Sequence, residues 1–297
     1  MPASETAPPV LRFAPSPNGY LHLGHAYSAL SNEAAARRLG GRLYLRMEDT
    51  DPTRARAAFA TAILEDLAWL CIAFEEKVLF QSERLAAYAA ALGELERLGL
   101  VYPAFLSRSE IAAKVAASEA GGKPWPRDPD GAPLYPGPER DWPQSRRRRE
   151  MTGGRPYALR LDMRRATAGA PPLSWRETDP FSGTCQTIAA DPGLWGDVVL
   201  ARKEVRTSYH LAVTVDDAFQ GVTHIVRGMD LKPATAVHRL LQHLLALPEP
   251  SYHHHRLILD EEGRKLAKSA GATALRDLRA AGRKPGEIRA ALGFALS

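Results

Sequence analysis

The chain has few cysteines and no long apolar segment. Its 297 residues include two cysteines, Cys71 and Cys185, which lie far apart in the sequence. Two distant cysteines provide neither a disulfide framework nor a cysteine metal motif, so we expect free, buried thiols in a reducing cytoplasm. No uninterrupted apolar run is long enough to span a bilayer, and the N-terminus lacks the charged and then apolar order of a signal peptide. These absences favour a cytoplasmic protein without a membrane partner.

The composition is that of a globular protein with a modest excess of positive charge. Hydrophobic residues make up 45% of the chain and charged residues 25%, and the formal net charge is +5. The length allows one large or two ordinary domains. A basic excess suits a polyanionic partner without proving one. The densest basic run, residues 146–149, is by default a solvated loop, and becomes a candidate phosphate contact, with Arg202 and Lys203, if the partner is RNA.

The most informative segment lies between a predicted strand, Val10–Phe13, and a predicted helix at residues 26–39. A strand, a tight turn and a helix start together form a phosphate site, because free N–H groups and the positive end of the helix dipole point at the anion. Three residues supply the turn: Pro15, Pro17 and Gly19.

Three further residues at the helix start carry the predicted chemistry. Gly24 removes a side chain where a flat base can approach the backbone. His22 and His25 are three apart, so they share one face of the first helical turn and can both reach the phosphates. The pattern His-x-Gly-His is a signature of class I aminoacyl-tRNA synthetases and related nucleotidyltransferases. By itself it also fits chance helix-start chemistry.

A second pattern, at residues 263–269, resembles the Lys-Met-Ser-Lys-Ser loop of the same class. Lys265, Lys268 and Ser269 hold its polar positions, and Leu266 and Ala267 replace the middle pair. A single Lys-x-x-Lys-Ser is usually a solvated basic turn. Two lysines on a glycine-led loop can also reach a triphosphate and spread its charge as it splits. The two motifs in this order indicate a synthetase.

Predicted strands and helices alternate through the first hundred residues. Strands are predicted at residues 10–13 and 42–48, and helices at residues 26–39, from Asp51 or Thr53 to about residue 70, and at residues 84–98. Such alternation predicts an α/β fold with a Rossmann-type, doubly wound parallel sheet.

The pattern changes after residue 102. Residues 121–150 are dense in Gly, Pro and charge, and β segments are predicted at residues 157–162 and 195–200. We expect an α/β insertion that splits the sheet, which resumes with strands at residues 208–217 and 222–227 and a helix at residues 233–247. The predicted division is a flexible tail (1–9), two halves of a catalytic domain (10–101 and 194–250) around the insertion (102–193), and a lysine-loop and short helical C-terminal segment (251–297).

Four motifs resemble the glutamate-specific branch of class I aminoacyl-tRNA synthetases. They are residues 12–17, 46–51, 209–217 and 224–230, and the resemblance covers nearly the whole chain. It implies activation of L-glutamate by ATP with Mg²⁺. Because 28 residues follow Ser269, we expect no large helical anticodon-binding domains. The chain is therefore similar to stand-alone members of the branch, which need no tRNA for activation and join glutamate to queuosine in the anticodon loop of tRNA(Asp). A monomer is expected.

The resemblance also implies the site residues. L-Glutamate is expected against Arg12, Phe13, Ala14, Pro15, Ser16, Glu48, Tyr209 and Arg227. ATP is expected against Pro17, Gly19, His22, Gly24, His25 and Lys268, and catalysis is assigned to His22, His25, Lys265, Lys268 and Ser269. Each pocket residue has an ordinary alternative, such as a surface ion pair for the two arginines, a core aromatic for Tyr209 or a helix-cap partner for Glu48. Their common place at the carboxyl ends of strands favours the functional interpretation.

One departure concerns the structural zinc that the family commonly holds in the insertion. Its cysteine positions match Ala104, Leu106 and Glu139 here, and Tyr135 with Glu139 cannot complete a four-ligand site. We therefore predict no zinc and no other metal site. His253, His254 and His255 alternate sides in a strand and cannot converge easily, so packing or lining of the ATP site is favoured.

Three other functions remain open at this stage. A glutamyl-tRNA synthetase that relies on a partner protein to charge tRNA(Glu) is the nearest. A small-molecule nucleotidyltransferase would not need the glutamate pocket. A non-catalytic RNA-binding module would be expected to have lost a histidine or lysine from the two motifs, and none is lost.

Overall fold

The computed structural model describes residues 7–202, 205–259 and 273–294. The strands in these residues are β1 (Val10–Phe13), β2 (Arg42–Met47), β3 (Leu79–Phe80), β4 (Val101–Ala104), β5 (Ala158–Leu161), β6 (Ser174–Thr178), β7 (Cys185–Ala189), β8 (Val199–Arg202), β9 (His224–Gly228) and β10 (Ser251–His255). The helices are α1 (Leu23–Leu39), α2 (Ala57–Trp69), α3 (Leu85–Arg97), α4 (Arg108–Ala120), α5 (Gln144–Thr152), α6 (Met163–Ala168), α7 (Tyr209–Phe219), α8 (Thr235–Leu244), α9 (Leu275–Ala280) and α10 (Pro285–Ala291).

Several predictions concern residues outside these ranges. They include most of the N-terminal tail, Lys203, and the second signature with Lys265, Leu266, Ala267, Lys268 and Ser269. Among the described residues, no helix is long and apolar enough to cross a membrane.

A parallel sheet forms the centre of the catalytic fold. Strands β1, β2 and β3 pair in parallel, and β9, β10 and β6 do so in a second group, with β7 antiparallel at its edge. The two groups meet where the N–H of Thr223, just before β9, donates to the carbonyl of Val10 at 2.9 Å. Helix α1 covers the junction, and Asn32 donates from it to the carbonyl of Val226 at 3.0 Å. The predicted Rossmann-type α/β fold is confirmed.

The core explains why these segments become strands and helices. Both β1 and β2 are buried along almost their whole length, as expected for strands covered on both faces. Helix α1 turns a row of small side chains inward, including Ala26 and Ala29, so it can approach the sheet closely. Larger side chains such as Leu30 and Met47 fill the layer between them.

The insertion has a small sheet of its own. Strands β4, β5 and β8 pair antiparallel, while the hairpin of β6 and β7 joins the central sheet through β10. Strand pairing therefore crosses the sequence-based division near residue 193, because β8 lies beyond it and β6 before it. The domain limits given above stay a prediction.

Residues 208–217 are helical, so the predicted strand there is wrong. Helix α7 covers them, and Ser208 caps it by accepting a hydrogen bond from the N–H of Leu211 at 3.4 Å. The segment is apolar and buried on more than one side, and a short run of this kind does not distinguish a strand from a buried helix.

Other local predictions also need correction. Asp51 does not cap α2, because its carboxylate accepts from the N–H and hydroxyl of Thr53 in a turn, and the helix begins later. Trp195 lies in a 3₁₀ turn, so the strand predicted at residues 195–200 is present only as the start of β8. The basic run 146–149 lies in α5 rather than in a loop.

Both cysteines are exposed, although buried thiols were expected. Cys71 follows α2 in a left-handed backbone conformation with φ of 58°, which turns the chain at the surface. Cys185 begins β7, the edge strand of the hairpin, where side chains face solvent.

Two adjacent buried aspartates of α7 connect the second half of the fold to the first. Asp216 accepts hydrogen bonds from Gln81 at 2.9 Å, Arg84 at 2.6 Å and Tyr88 at 2.6 Å. Asp217 accepts hydrogen bonds from Arg12 of β1 and Arg46 of β2. Because the carboxylate of Asp216 is fully buried, its three donors replace the water that it loses.

We expect Asp216→Asn to lower the free energy of unfolding by about 3 kcal/mol, the scale for breaking a buried ion pair. The amide removes the charge that faces Arg84 and turns an N–H toward existing donors. Urea denaturation measures the change. Glu94→Gln is the matched control, because Glu94 pairs with Arg97 at the surface and should change stability by less than about 1 kcal/mol. Equal effects of the two variants would contradict the role given to Asp216.

Candidate active site

A cavity of about 630 Å³ opens at the carboxyl ends of β1, β2 and β9, beside the start of α1. This is where open α/β sheets bind ligands. Its lining includes eleven of the residues expected from the sequence: Arg12, Phe13, Ala14, Pro15, Ser16, His22, Gly24, His25, Glu48, Tyr209 and Arg227. Pro17 lines an adjoining cavity, and Gly19 lines neither of the two.

The turn after β1 is held by backbone hydrogen bonds to the segment that follows β2. The N–H of Glu48 donates to the carbonyl of Pro15 at 3.0 Å, and that of Arg56 donates to Pro17 at 3.0 Å. Proline has no backbone N–H, so the carbonyl oxygen is the only backbone group through which these two residues can form hydrogen bonds. The turn therefore positions Ser16 and Glu48 at one wall of the cavity.

The start of α1 is capped by its own histidines. The Nδ1 atom of His22 accepts from the N–H of Gly24 at 3.1 Å, and the Nδ1 atom of His25 accepts from the N–H of His22 at 3.2 Å. The N–H of His25 is bonded to the carbonyl of His22 at 2.9 Å. The expected free N–H groups are thus partly used within the helix. When neutral, both rings carry their proton on Nε2, the atom that can donate to a phosphate.

Gly24 lies close to the His22 ring that caps α1. A Cβ atom at this position would stand 3.0 Å from Cε1 and 3.1 Å from Nδ1 of His22. A side chain would therefore require the His22 ring, which caps the helix, to shift by a few tenths of an ångström.

A buried charge cluster supports the cavity wall next to β1. Arg12 and Arg46 both donate to Oδ1 of Asp217, each at 2.8 Å. Burial alone would raise the pKa of Asp217, but the two guanidinium groups outweigh it and hold that pKa below its ordinary value. Glu48 lies 3.5 Å from Nη2 of Arg46, and burial raises its pKa despite Arg46 and Arg12. Arg12 therefore has a protein carboxylate as a partner.

Arg227 has a different environment. Its Nε donates to Nε2 of His254 at 3.1 Å, its Nη1 to Nδ1 of His238 at 3.1 Å, and its Nη2 to the hydroxyl of Thr235 at 2.6 Å. The residue is 4% exposed, and no carboxylate of the described residues lies within 4 Å of its nitrogen atoms. Arg227 thus brings a positive charge into the cavity among neutral groups.

The histidines around Arg227 are neutral at ordinary pH. Burial, with opposition from its Glu177 hydrogen bond, lowers the pKa of His254 to about 4, and burial lowers the pKa of His210 to about 4 as well. Burial and then Arg227 hold the pKa of His238 well below 6.5. Tyr209 packs edge-on against His238, with ring centroids 5.6 Å apart, and is 37% exposed toward the cavity.

The three consecutive histidines of β10 have separate roles. His254 faces Glu177 and Arg227, while His253 packs against Phe181 with ring centroids 6.0 Å apart. His255 lines the cavity and packs edge-on against Tyr27, with ring centroids 5.1 Å apart. Within the described ranges, no group of three His, Cys, Asp or Glu residues is placed to bind a metal ion.

A second cavity of about 540 Å³ adjoins the first on the side of the insertion. The two share Ser16, Asn18, Glu48, Arg54 and Tyr209 in their walls. On the far side it is lined in part by the small sheet, including the basic residues Arg160 of β5 and Arg202 of β8. A large substrate entering from the insertion can therefore reach the groups at the sheet.

The positions of the family's zinc ligands form a hydrogen-bonded cluster. Tyr135 donates to Oε2 of Glu139 at 2.8 Å and accepts from the N–H of Leu106 at 3.3 Å, and Phe105 donates its N–H to Oε1 of Glu139 at 3.0 Å. Ala104 lies in the same apolar cluster as Tyr135. With two aliphatic side chains and a carboxylate already bonded on both oxygens, this set does not fit tetrahedral zinc. The absence of zinc stays a prediction.

The described residues on both sides of the second signature lie at the site. Leu257 and Ile258 line the first cavity. Ala274 forms an isolated antiparallel bridge with His22, and the N–H of Leu275 donates to the carbonyl of Leu21 at 2.8 Å. The described residues nearest to the second signature in the sequence therefore lie beside the start of α1.

Sequence reasoning did not assign a role to several residues that hold the site. Arg46 and Asp217 belong to two of the four motifs quoted above, and their opposite charges were the only sign in the sequence of a pairing between them. Thr235 and His238 are polar residues of α8 at a spacing of three, which a helix places on one face. Glu177 gave no signal, because it lies in the segment assigned to the insertion.

The chain is similar to several known proteins. A family model described as tRNA synthetases class I (E and Q), catalytic domain, matches residues 10–293. Glutamyl-Q tRNA(Asp) synthetase of Rhodobacter capsulatus is 45% identical over 287 residues, which are 96% of this chain and 100% of that protein. Glutamate--tRNA ligase 2 of Methylobacterium sp. is 39% identical over 282 residues, and the chain spans 58% of its length. A crystal structure of the glutamate-tRNA synthetase of Elizabethkingia anophelis matches with a TM-score of 0.71 and 27% identity, covering 89% of this chain and 53% of that one.

We expect the stability of the protein to fall between pH 7 and pH 4.5 in part because of His254. The folded-state pKa of about 4 lies below the unfolded value of about 6.5, so the unfolded chain takes up the proton first as the pH falls. The loss begins as the pH falls below about 6.5, amounts to about 2 to 3 kcal/mol at pH 4.5, and is complete near pH 4. Urea denaturation of the wild type and of His254→Gln at both pH values measures the free energy of unfolding. The free energy of the wild type should fall more between pH 7 and pH 4.5 than that of the variant. The same pH dependence in both proteins would refute the assignment.

Proposed function

Because this chain belongs to the family of class I tRNA synthetase catalytic domains for E and Q, we propose that it activates L-glutamate with ATP and transfers the glutamyl group to queuosine in the anticodon of tRNA(Asp). The chain spans the full length of the Rhodobacter relative, whose printed name is that of this activity, and little more than half of the glutamate--tRNA ligases. The single observation that supports the chemistry is the cavity that holds the predicted glutamate residues beside the two histidines of α1.

The first step is the transfer of an adenylyl group. An oxygen of the glutamate α-carboxylate attacks the α-phosphorus of ATP, the bond from that phosphorus to the bridging oxygen breaks, and pyrophosphate leaves. Because every reacting group is an anion, positioning and charge neutralisation account for most of the catalysis. The Nε2 atoms of His22 and His25 donate to phosphate oxygens. Mg²⁺ enters with ATP and neutralises part of the phosphate charge.

We assign the remaining phosphate contacts to the second signature. Lys268 stabilises the charge that develops on the leaving pyrophosphate, and Lys265 and Ser269 assist it. These residues lie outside the described ranges, and the support is the position of their described neighbours, Ile258 and Ala274, beside the cavity and His22.

The glutamate side chain and its backbone groups use different walls of the cavity. Arg227 binds a substrate carboxylate, because its charge faces the cavity among neutral groups. Arg12 lies at the end of the neighbouring strand β1, with Asp217 already bonded to its Nε, and contributes less net charge. Glu48 pairs with the α-ammonium group. Tyr209 covers the substrate from α7, and Phe13, Ala14, Pro15 and Ser16 complete the wall.

The second step moves the glutamyl group to RNA. A hydroxyl of the cyclopentene ring of queuosine attacks the carbonyl carbon of the adenylate, the bond to the phosphate oxygen breaks, and AMP leaves. The adjoining cavity gives such a ring a route to the adenylate between Glu48 and Tyr209. RNA loops are bound through stacking and backbone charge. Residues 146–149 of α5, Arg202 and Lys203 are candidate contacts.

We also propose the cofactors, the cellular location and the oligomeric state that the sequence led us to expect. ATP with Mg²⁺ is the cosubstrate, no structural zinc is required, the reaction takes place in the cytoplasm with its tRNA, and the enzyme acts as a monomer. The nearest alternative is a glutamyl-tRNA synthetase that charges tRNA(Glu) with a partner protein. A small-molecule nucleotidyltransferase is less well supported, because it would not need the glutamate pocket.

We expect the purified chain to catalyse ATP–pyrophosphate exchange with L-glutamate in the absence of tRNA. Radiolabelled glutamate should then label queuosine-containing tRNA(Asp) and not the same tRNA without queuosine. Labelling of tRNA(Glu) instead would replace this proposal by the alternative synthetase. Exchange with L-glutamine at an equal rate would contradict the assigned pocket.

We expect His25→Ala to lower kcat for pyrophosphate exchange by about 100-fold, because it removes a donor to the transition-state phosphate. KM for glutamate should change little, since the glutamate residues lie on other elements. His243→Ala is the matched control: His243 is exposed on α8 and should leave the exchange rate unchanged. A wild-type rate in His25→Ala would remove His25 from the mechanism.

A further inference from the structure

The buried histidines around Arg227 are not used by the mechanism described above. His254 lies opposite Arg227 in the pairing of β10 with β9, and His238 reaches it from α8. Both are less than 5% exposed, and neither lines the wall where the glutamate is placed. Buried polar atoms are almost always hydrogen-bonded, so the partners of the two imidazole rings show what the rings do beside the guanidinium group.

The hydrogen bonds fix the tautomer of each ring. Arginine has only donors, so Nε2 of His254 and Nδ1 of His238 must both accept. His254 then carries its proton on Nδ1 and donates it to the carboxylate of Glu177 at 2.9 Å. His238 carries its proton on Nε2 and donates it to Nδ1 of His210 at 3.1 Å. The bonds run in one direction, outward from Arg227 to Glu177 on one side and to His210 on the other.

Hydrogen bonds also fix the position of the Glu177 carboxylate beside His254. Its Oε1 accepts from the backbone N–H of His254 at 2.8 Å, and its Oε2 accepts from the indole of Trp175 at 3.0 Å. Burial would raise its pKa, but the hydrogen bonds from His254 and Trp175 outweigh burial and lower the pKa to about 2. Glu177 therefore stays an acceptor over the whole physiological range and keeps the proton of His254 on Nδ1.

We infer that His238 and His254, the latter through Glu177, are positioning residues that hold Arg227 by neutral acceptors, so that its full charge is left for the carboxylate of the substrate. A protein carboxylate would hold the guanidinium as firmly but would neutralise it, as Asp217 does for Arg12. Selectivity for glutamate over glutamine then rests on Arg227, since a neutral amide would leave a buried cation without a counter-charge. The inference rests on the proposed function, in which Arg227 binds the substrate.

The test compares two substitutions at His238 in ATP–pyrophosphate exchange without tRNA. The variant His238→Asn places an amide oxygen near the position of Nδ1 and keeps an acceptor for Arg227, whereas His238→Ala removes it. We expect His238→Ala to raise KM for glutamate about tenfold, the scale of one lost hydrogen bond to a charged group. The values of kcat and of KM for ATP should stay within about threefold, and His238→Asn should restore KM for glutamate to within about threefold of the wild type.

Glu177→Gln tests the other side of Arg227. The amide N–H can donate to Nδ1 of His254, which moves the proton of that ring to Nε2 and sets two donors face to face with Arg227. We expect KM for glutamate to rise and the rate ratio of glutamate to glutamine to fall by about tenfold or more, with Glu177→Asp closer to the wild type.

The outcomes separate this inference from the proposed function. If the wild type does not exchange with glutamate, the proposed function fails and the inference with it. If the wild type exchanges and His238→Ala and Glu177→Gln keep the wild-type KM for glutamate, the inference alone fails. A loss of kcat and a rise of both KM values together, with equal effects of His238→Asn and His238→Ala, would show a merely structural role and would also overturn it.

Discussion

The carboxylate of Asp217 holds the site together. Arg12 at the end of β1 and Arg46 in β2 both donate to one of its oxygens at 2.8 Å, although Asp217 belongs to α7, 205 residues after Arg12 and 171 after Arg46. Its neighbour Asp216 connects the same helix to the segment before α3 through Gln81 and to α3 itself. Because breaking a buried ion pair is costly, these contacts also fix how the two halves of the split sheet meet.

This connection determines the character of the cavity. Arg12 is already partnered by Asp217, so it shapes the wall beside β1 more than it adds charge. Arg227, on the neighbouring strand β9, has imidazole and hydroxyl partners instead, so the two arginines differ in the charge that they leave for a ligand. The sequence alone suggested two equivalent guanidinium groups. Their unequal partners come from three separate elements, α7, α8 and β10, that the sheet brings together.

The insertion contributes to the site through contacts that its sequence did not predict. Its small sheet lines, together with Tyr135, a second cavity that joins the first. Its hairpin, however, pairs with β10 and places Glu177 behind His254. The part of the chain that lies between the two halves therefore also orients His254 inside the catalytic domain.

The sequence by itself determined strands β1, β2 and β9, the turn after β1, the start of α1 and most residues of the cavity wall. These depend on local patterns: a buried apolar strand, prolines that form a turn and two histidines three residues apart. It failed where a short apolar segment fits two structures, as at α7, and where a turn residue such as Asp51 resembled a helix cap. Tertiary structure alone decided the partners of Arg12 and Arg227. Hydrogen bonds between residues far apart in the chain exist only after the sheet has closed, and no local pattern records which donor will find which acceptor.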